Sequence, residues 1–154
     1  MIAQRIKSFL DENEVKYETL FHTLTYTAQT TAESAHIPGL EMAKTVVINV
    51  DGRLAMAVLP ASRHVSLPNL REVTGSSDIH LAGESELRTL FPGCELGAMP
   101  PFGNLYGLDV WVDPLLARHE RIAFNAGSHT ELIRMRYADF ERLVCPMVAT
   151  FAMA

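Results

Sequence analysis

The dipeptide Asp51-Gly52 stands between two apolar runs, Val46-Val47-Ile48-Asn49-Val50 and Arg53-Leu54-Ala55-Met56-Ala57-Val58-Leu59-Pro60. A two-residue connection of this kind suits a type I′ turn, which needs positive φ at both central residues and matches the twist of the flanking strands. The chain is therefore organised around an antiparallel hairpin.

Other elements are read from periodicity and from their stop signals. Ile2, Ile6, Phe9 and Leu10 recur at near-helical spacing before Asp11-Glu12-Asn13, which predicts an amphipathic helix over 2–10. Val15, Tyr17 and Thr19 alternate with charged residues and predict a first strand, with His22 near its end. Thr30-Thr31-Ala32-Glu33 fits a capping box, and Ile37-Pro38-Gly39 ends the short helix that carries Ala32 and Ala35. Val65 and Leu67 alternate towards Pro68, and a short helix follows over 68–73, before Thr74-Gly75. A brief strand is expected over 79–82, and a helix over 84–91 closed by Pro92-Gly93. Alternation marks strands at Leu108–Val112, at 121–124 and around Leu132–Met135, and a last helix over 138–144 is stopped by Pro146. The segment Gly97-Ala98-Met99-Pro100-Pro101-Phe102-Gly103 admits no regular structure. Strands outnumber helices, so the expected class is mixed α/β or α+β, with a partly antiparallel curved sheet and short helices.

Length and composition bound the rest. A chain of 154 residues suits one domain over 1–154, and 48% hydrophobic with 20% charged residues is ordinary globular usage. Cys94 and Cys145 lack Cys-x-x-Cys spacing, so free thiols in a reducing cytoplasm are expected. Neither a signal segment nor a run of about 18 apolar residues stands out, which argues against export or membrane spanning. A net charge of −5 argues against gripping a long stretch of nucleic acid, DNA included, so any RNA contact should be small and local.

The common catalytic motifs are absent: no Walker loop, no dinucleotide fingerprint, no His-Glu-x-x-His and no Gly-x-Ser-x-Gly. The six histidines, at 22, 36, 64, 80, 119 and 129, never recur at metal-ligand spacing, so neither metal nor other cofactor is expected. Asp113 before Pro114 reads as turn chemistry, and nothing local would activate the Cys94 thiol.

Lys44 stands apart among only three lysines, because it follows Leu40, Met42 and Ala43 and opens an apolar strand. Such an ammonium either reaches water at a strand end or points into a cleft, where it needs an anionic partner such as a phosphate. The loop from Gly97 to Gly103 is either a rigid connector or a device that presents backbone polar groups to a ligand. His129, just after Gly127, is either a satisfied loop residue or part of a pocket wall.

His22 with Thr27-Ala28 and Ala32, the run Ala43-Lys44-Thr45-Val46-Val47, the Gly97-x-x-x-Pro101 loop with Phe102-Gly103, and Gly127-x-His129 occur together in order over 22–143. In that order the chain resembles the YbaK/ProX family, free-standing relatives of the editing domain inserted in bacterial prolyl-tRNA synthetases. The resemblance implies a barrel-like, mostly antiparallel sheet and hydrolysis, without metal or covalent nucleophile, of the ester in misacylated tRNA. It implies catalytic roles for Lys44, Gly97 and Pro101, with Lys44 on the 3′ end of the tRNA. Substrate contacts are implied for His22, Thr27, Thr45, Ala98, Met99, Gly127 and His129. The implied substrate is tRNA for proline mischarged with a small amino acid, alanine before cysteine or serine, and the implied partner is prolyl-tRNA synthetase. Two rivals remain at this point: a non-catalytic module that binds the tRNA end or a synthetase, and a Schiff-base enzyme using Lys44.

Overall fold

The computed structural model describes residues 2–22, 32 and 36–154. Helix α1 (Ile2–Glu12) buries Ile6 and Leu10, leaves Arg5, Asp11 and Glu12 outward and pairs Lys7 with Glu131 of the later strand. Strand β1 spans Tyr17–Phe21. The hairpin is β2 (Ala43–Val50) and β3 (Arg53–Pro60), with Asp51 at φ 52° and Gly52 at φ 87°, the positive angles a type I′ turn requires. The Asn49 side chain accepts from the Gly52 amide at 2.8 Å and closes the turn.

A short strand β4 (His64–Val65) leads into helix α2 (Leu67–Thr74), so Leu67 belongs to the helix rather than to the strand. Ser66 caps that helix by accepting from Asn69 N, and Gly75 ends it in the left-handed region. Then come β5 (Ile79–Leu81), α3 (Glu84–Leu90), a 3₁₀ turn over Gly103–Tyr106, β6 (Asp109–Val112) and the one-turn helix α4 (Pro114–Ala117). The chain continues with β7 (Arg121–Asn125), β8 (Glu131–Arg136), α5 (Tyr137–Val144), β9 (Met147–Val148) and β10 (Ala152–Met153). The helix expected to begin near Thr30 lies largely outside the described residues.

The fold is mixed α/β, with mostly antiparallel pairing. One sheet has the order β5-β2-β3-β6-β9, a second β1-β8-β7, and a third pairs β10 with β4. Pairs β3–β6 and β6–β9 are parallel, which local alternation does not reveal. The two larger sheets are linked by a parallel bridge between Met42 and Ala123, reinforced by the Ala123 amide donating to Glu41 O at 3.0 Å. Between them lies the main core, centred on Phe102, whose ring meets Phe9, Phe124 and Phe140 edge-on at 6.0, 5.4 and 5.6 Å. Truncating Phe102 to alanine would cost about 3–5 kcal/mol. Beside it Gly103 is obligatory, since a Cβ there would stand 2.7 Å from Val110 Cγ2.

The apolar tail after Pro146 is structural. It adds β9 to the large sheet and β10 to β4, and it buries Phe151 completely against the outer face of the hairpin. Among the described residues no helix is long and apolar enough to cross a membrane.

Candidate functional site

The Gly97 loop and the β7–β8 connection are stitched together by backbone. Glu95 N donates to Gly127 O and Gly127 N to Ala98 O, both at 2.9 Å. His129 N donates to Glu95 Oε2 at 3.1 Å. The ring Nε2 of His129 lies 2.7 Å from Leu96 O; a carbonyl only accepts, so Nε2 carries the hydrogen and donates it. These bonds hold the imidazole in one orientation and bury it.

Gly97 sits at φ +83°, and a Cβ there would come 3.6 Å from His129 Cε1, so the backbone at Gly97 lies directly against the histidine ring. Ala98, Met99, Pro100 and Pro101 are buried behind it and run into the Phe102 anchor. The loop is thus fixed from below by the core and from the side by Gly127 and His129. A cleft of about 200 Å³, lined by Gly93, Glu95, Gly127 and Ser128 among others, lies alongside it.

Lys44 lies near the start of β2, opposite Leu59 in the register. It is half-buried, and desolvation alone pulls its pKa below the ordinary lysine value. Among the described residues no carboxylate lies within ion-pair distance of it. Glu41, three residues earlier, faces His119 and Arg134 at 4.0 and 3.9 Å instead. By alternation from the Met42–Ala123 bridge, Lys44 takes the Met42 side of β2 and Asn125 the Ala123 side of β7. Asn125 is buried, and its Oδ1 has no hydrogen-bond partner among the described residues.

Gly97, Ala98, Met99, Gly127 and His129 therefore form one unit, and Lys44 lies in the strand that meets β7 at the Met42–Ala123 bridge, four residues before Gly127. His22 joins the same end of the fold, its amide donating to Thr130 O at 3.0 Å. Thr45 is buried on the opposite face of β2 from Lys44, in line with Ala43 and Val47 of the main core, and its Oγ1 has no partner among the described residues. Pro101 is a buried support of the loop, and Thr27 lies outside the described residues.

Asn125 and Glu95 carry no motif; the apolar run before Asn125 reads as an ordinary strand, and Glu95 as a loop acid. Glu95 is placed by its bonds to Gly127 and His129, over thirty residues on, and Asn125 by the pairing of β7 with β8 and the Met42–Ala123 bridge. Burial and Glu95 push the Cys94 thiol up to about 11, so it stays protonated near neutrality and is a poor nucleophile. Among the described residues no three His, Cys, Asp or Glu side chains are grouped to hold a metal.

Residues 22–143 match the family model of the aminoacyl-tRNA editing domain. The chain belongs to that family. Its members are hydrolases of the ester between an amino acid and tRNA, and the matched span contains every residue of the unit just described. The chain is 29% identical over 153 residues to the Multifunctional Ser/Thr-tRNA deacylase ProXp-y of Escherichia coli K12, covering 96% of this chain and 91% of that one. Its fold matches a candidate trans-editing enzyme for prolyl tRNA synthetase with a TM-score of 0.84, at 20% identity, over 99% and 97% of the two chains. It matches the hypothetical protein APE2540 with a TM-score of 0.86, at 18% identity, over 97% and 99%. The aminoacyl-tRNA editing fold is thus present along almost the whole chain.

Proposed function

We propose that this editing domain acts in trans on tRNA for proline carrying a small wrong amino acid, with alanine and serine the leading candidates. The observation that carries the reading is Lys44, a half-buried cation with no carboxylate partner among the described residues, in the strand bridged to β7, which leads into the rigid Gly127 connection. A desolvated ammonium is stabilised by an anion brought by a ligand, and a phosphate or ester oxygen of the terminal adenosine provides one.

In this reading Lys44 anchors the 3′ end of the tRNA, while backbone groups around Gly97 orient the ester and a water molecule. Water adds to the ester carbonyl, the bond to the ribose oxygen breaks, and that oxygen leaves as a hydroxyl with the proton. Free amino acid and tRNA are released. Preorganised polar groups stabilise the charge that develops on the carbonyl oxygen. His129, fixed through Leu96 O and Glu95, forms a wall of the amino-acid pocket, with His22, Ala98, Met99 and Gly127 around it and Thr45 behind β2, and the family resemblance adds Thr27 as a substrate contact. A small pocket answers a real need, because one methylene changes binding by only about 1–3 kcal/mol and a synthetase cannot exclude every smaller residue. The name of the Escherichia coli relative supports serine, and the printed description of the structural neighbour supports prolyl-tRNA synthetase as the partner that delivers the tRNA.

The test is a panel of misacylated tRNAs, including tRNA for proline charged with alanine, serine, cysteine or proline. Faster release of alanine or serine than of proline is the expected result, and release no faster than in buffer for every member sinks the proposal. The lowered pKa of Lys44 also favours a Schiff base. Borohydride trapping of substrate on Lys44 would establish that chemistry in place of direct hydrolysis.

A further inference from the structure

The chain is acidic overall, yet one exposed cleft of about 330 Å³ gathers Lys16, Arg121, Arg134 and Arg136 against only two carboxylates, Glu18 and Glu120. Arg121 and Arg136 stand directly opposite each other in the β7–β8 register, an arrangement that costs free energy unless something anionic lies between or above them. Arg121 reaches Glu18 at 3.1 Å in an exposed pair that contributes little, and Arg134 reaches Glu41 at 3.9 Å in a partly buried one. Lys16 and Arg136 have no ion pair among the described residues.

The cleft is aligned with the candidate site. Arg121, Ala123 and Asn125 alternate onto one face of β7, and their register partners Arg136, Arg134 and Leu132 take the same face of β8. Through the Met42–Ala123 bridge, Lys44 takes the corresponding side of β2. From the Asn125 level to the Arg121–Arg136 level is four residues of strand, about 13 Å. The buried cluster of Met42, Ala123 and Leu132 lies between, so the cleft is a surface distinct from the Lys44 end.

We propose that the Lys16–Arg121–Arg134–Arg136 cleft binds backbone phosphates of the tRNA acceptor end, a second contact separate from the ester-cleaving unit. The inference rests on the reading of the substrate given above. Guanidinium groups hold phosphate oxygens in bidentate fashion, and such contacts position the RNA without reading its sequence. The contact is small and local, as the overall charge requires.

The direct probe is an uncharged acceptor-stem RNA hairpin, whose binding to the full chain is followed by fluorescence anisotropy between about 50 and 200 mM salt. For the Arg121→Ala/Arg136→Ala double variant the expected result is binding weakened about tenfold at the lower salt, with a shallower salt dependence. In deacylation, the same variant should raise KM for aminoacyl-tRNA by a similar factor, leave kcat within about twofold, and leave hydrolysis of an aminoacyl-adenosine lacking these phosphates unchanged. Unchanged RNA affinity overturns the proposal, as does an equal loss on both substrates, which would mark a disturbed fold. If the parent binds the hairpin through these arginines yet deacylates nothing, the catalytic reading fails while the phosphate cleft stands.

Discussion

Two buried polar regions of this molecule are built in opposite ways. At Asp113 the carboxylate is fully occupied: Oδ1 accepts from Leu115 N at 2.9 Å, and Oδ2 from Phe151 N and Ala152 N at 2.9 and 2.8 Å. At the Lys44 end of the fold the ammonium has no carboxylate partner, and Asn125 Oδ1 has no hydrogen-bond partner among the described residues. Folded chains satisfy nearly all buried polar groups, so the first region reads as architecture and the second as places held for something else. Asp113 fastens the C-terminal strap to the hairpin, and in the proposed reading the Lys44 end takes the ligand.

The contrast breaks most visibly at the structural end. Asp113→Ala strands three amides and should destabilise the fold by about 3–5 kcal/mol in urea unfolding, with deacylation per folded molecule unchanged. A loss below about 1 kcal/mol would mean that the strap does not depend on this carboxylate. Gly97→Ala comes next: a side chain at positive φ costs about 1–3 kcal/mol of backbone strain, which the loop relieves by shifting, so both melting temperature and deacylation rate should fall. Full activity in that variant would show that His129 need not lie against Gly97.

Asn125→Ala should leave stability nearly unchanged or improved, because it removes an amide whose oxygen has no partner, while lowering kcat/KM about tenfold. Loss of stability without loss of activity would move Asn125 into the architectural class. The smallest effect concerns pH. Desolvation holds the Lys44 pKa below 10.5, so folding disfavours its charged form. That cost is present in full below the lowered pKa and disappears as pH rises through it towards 10.5, so this residue's contribution to stability increases with pH across that window. Binding of a phosphate needs the charge and should weaken over the same window. Titrating hairpin affinity against pH for the parent and Lys44→Met checks the sign, and curves that stay parallel would remove Lys44 from the anion site.

Local physics made much of this legible. Asp51-Gly52 specified the hairpin, and the glycines and prolines of 97–103 specified an irregular loop whose shape is then fixed by Phe102 and Gly103. The oddity of Lys44 was visible as one charge opening an apolar strand. The parallel pairs β3–β6 and β6–β9 were not legible, because their partners lie tens of residues apart and alternation looks the same in either direction. The apolar tail gave no sign of its anchor, since an Asp-Pro pair reads as a turn whether or not its second carboxylate oxygen is used. Asn125 gains its meaning only from the Met42–Ala123 bridge, and the Arg121–Arg136 pair only from the β7–β8 register.

The most direct test is single-turnover deacylation of misacylated tRNA by Lys44→Ala beside its melting curve. The account predicts a rate lower by about 100-fold, near 2.7 kcal/mol of transition-state stabilisation, with a melting temperature equal to or above the parent's. A variant that deacylates at the parent's rate, or that loses activity only because it unfolds, would contradict it.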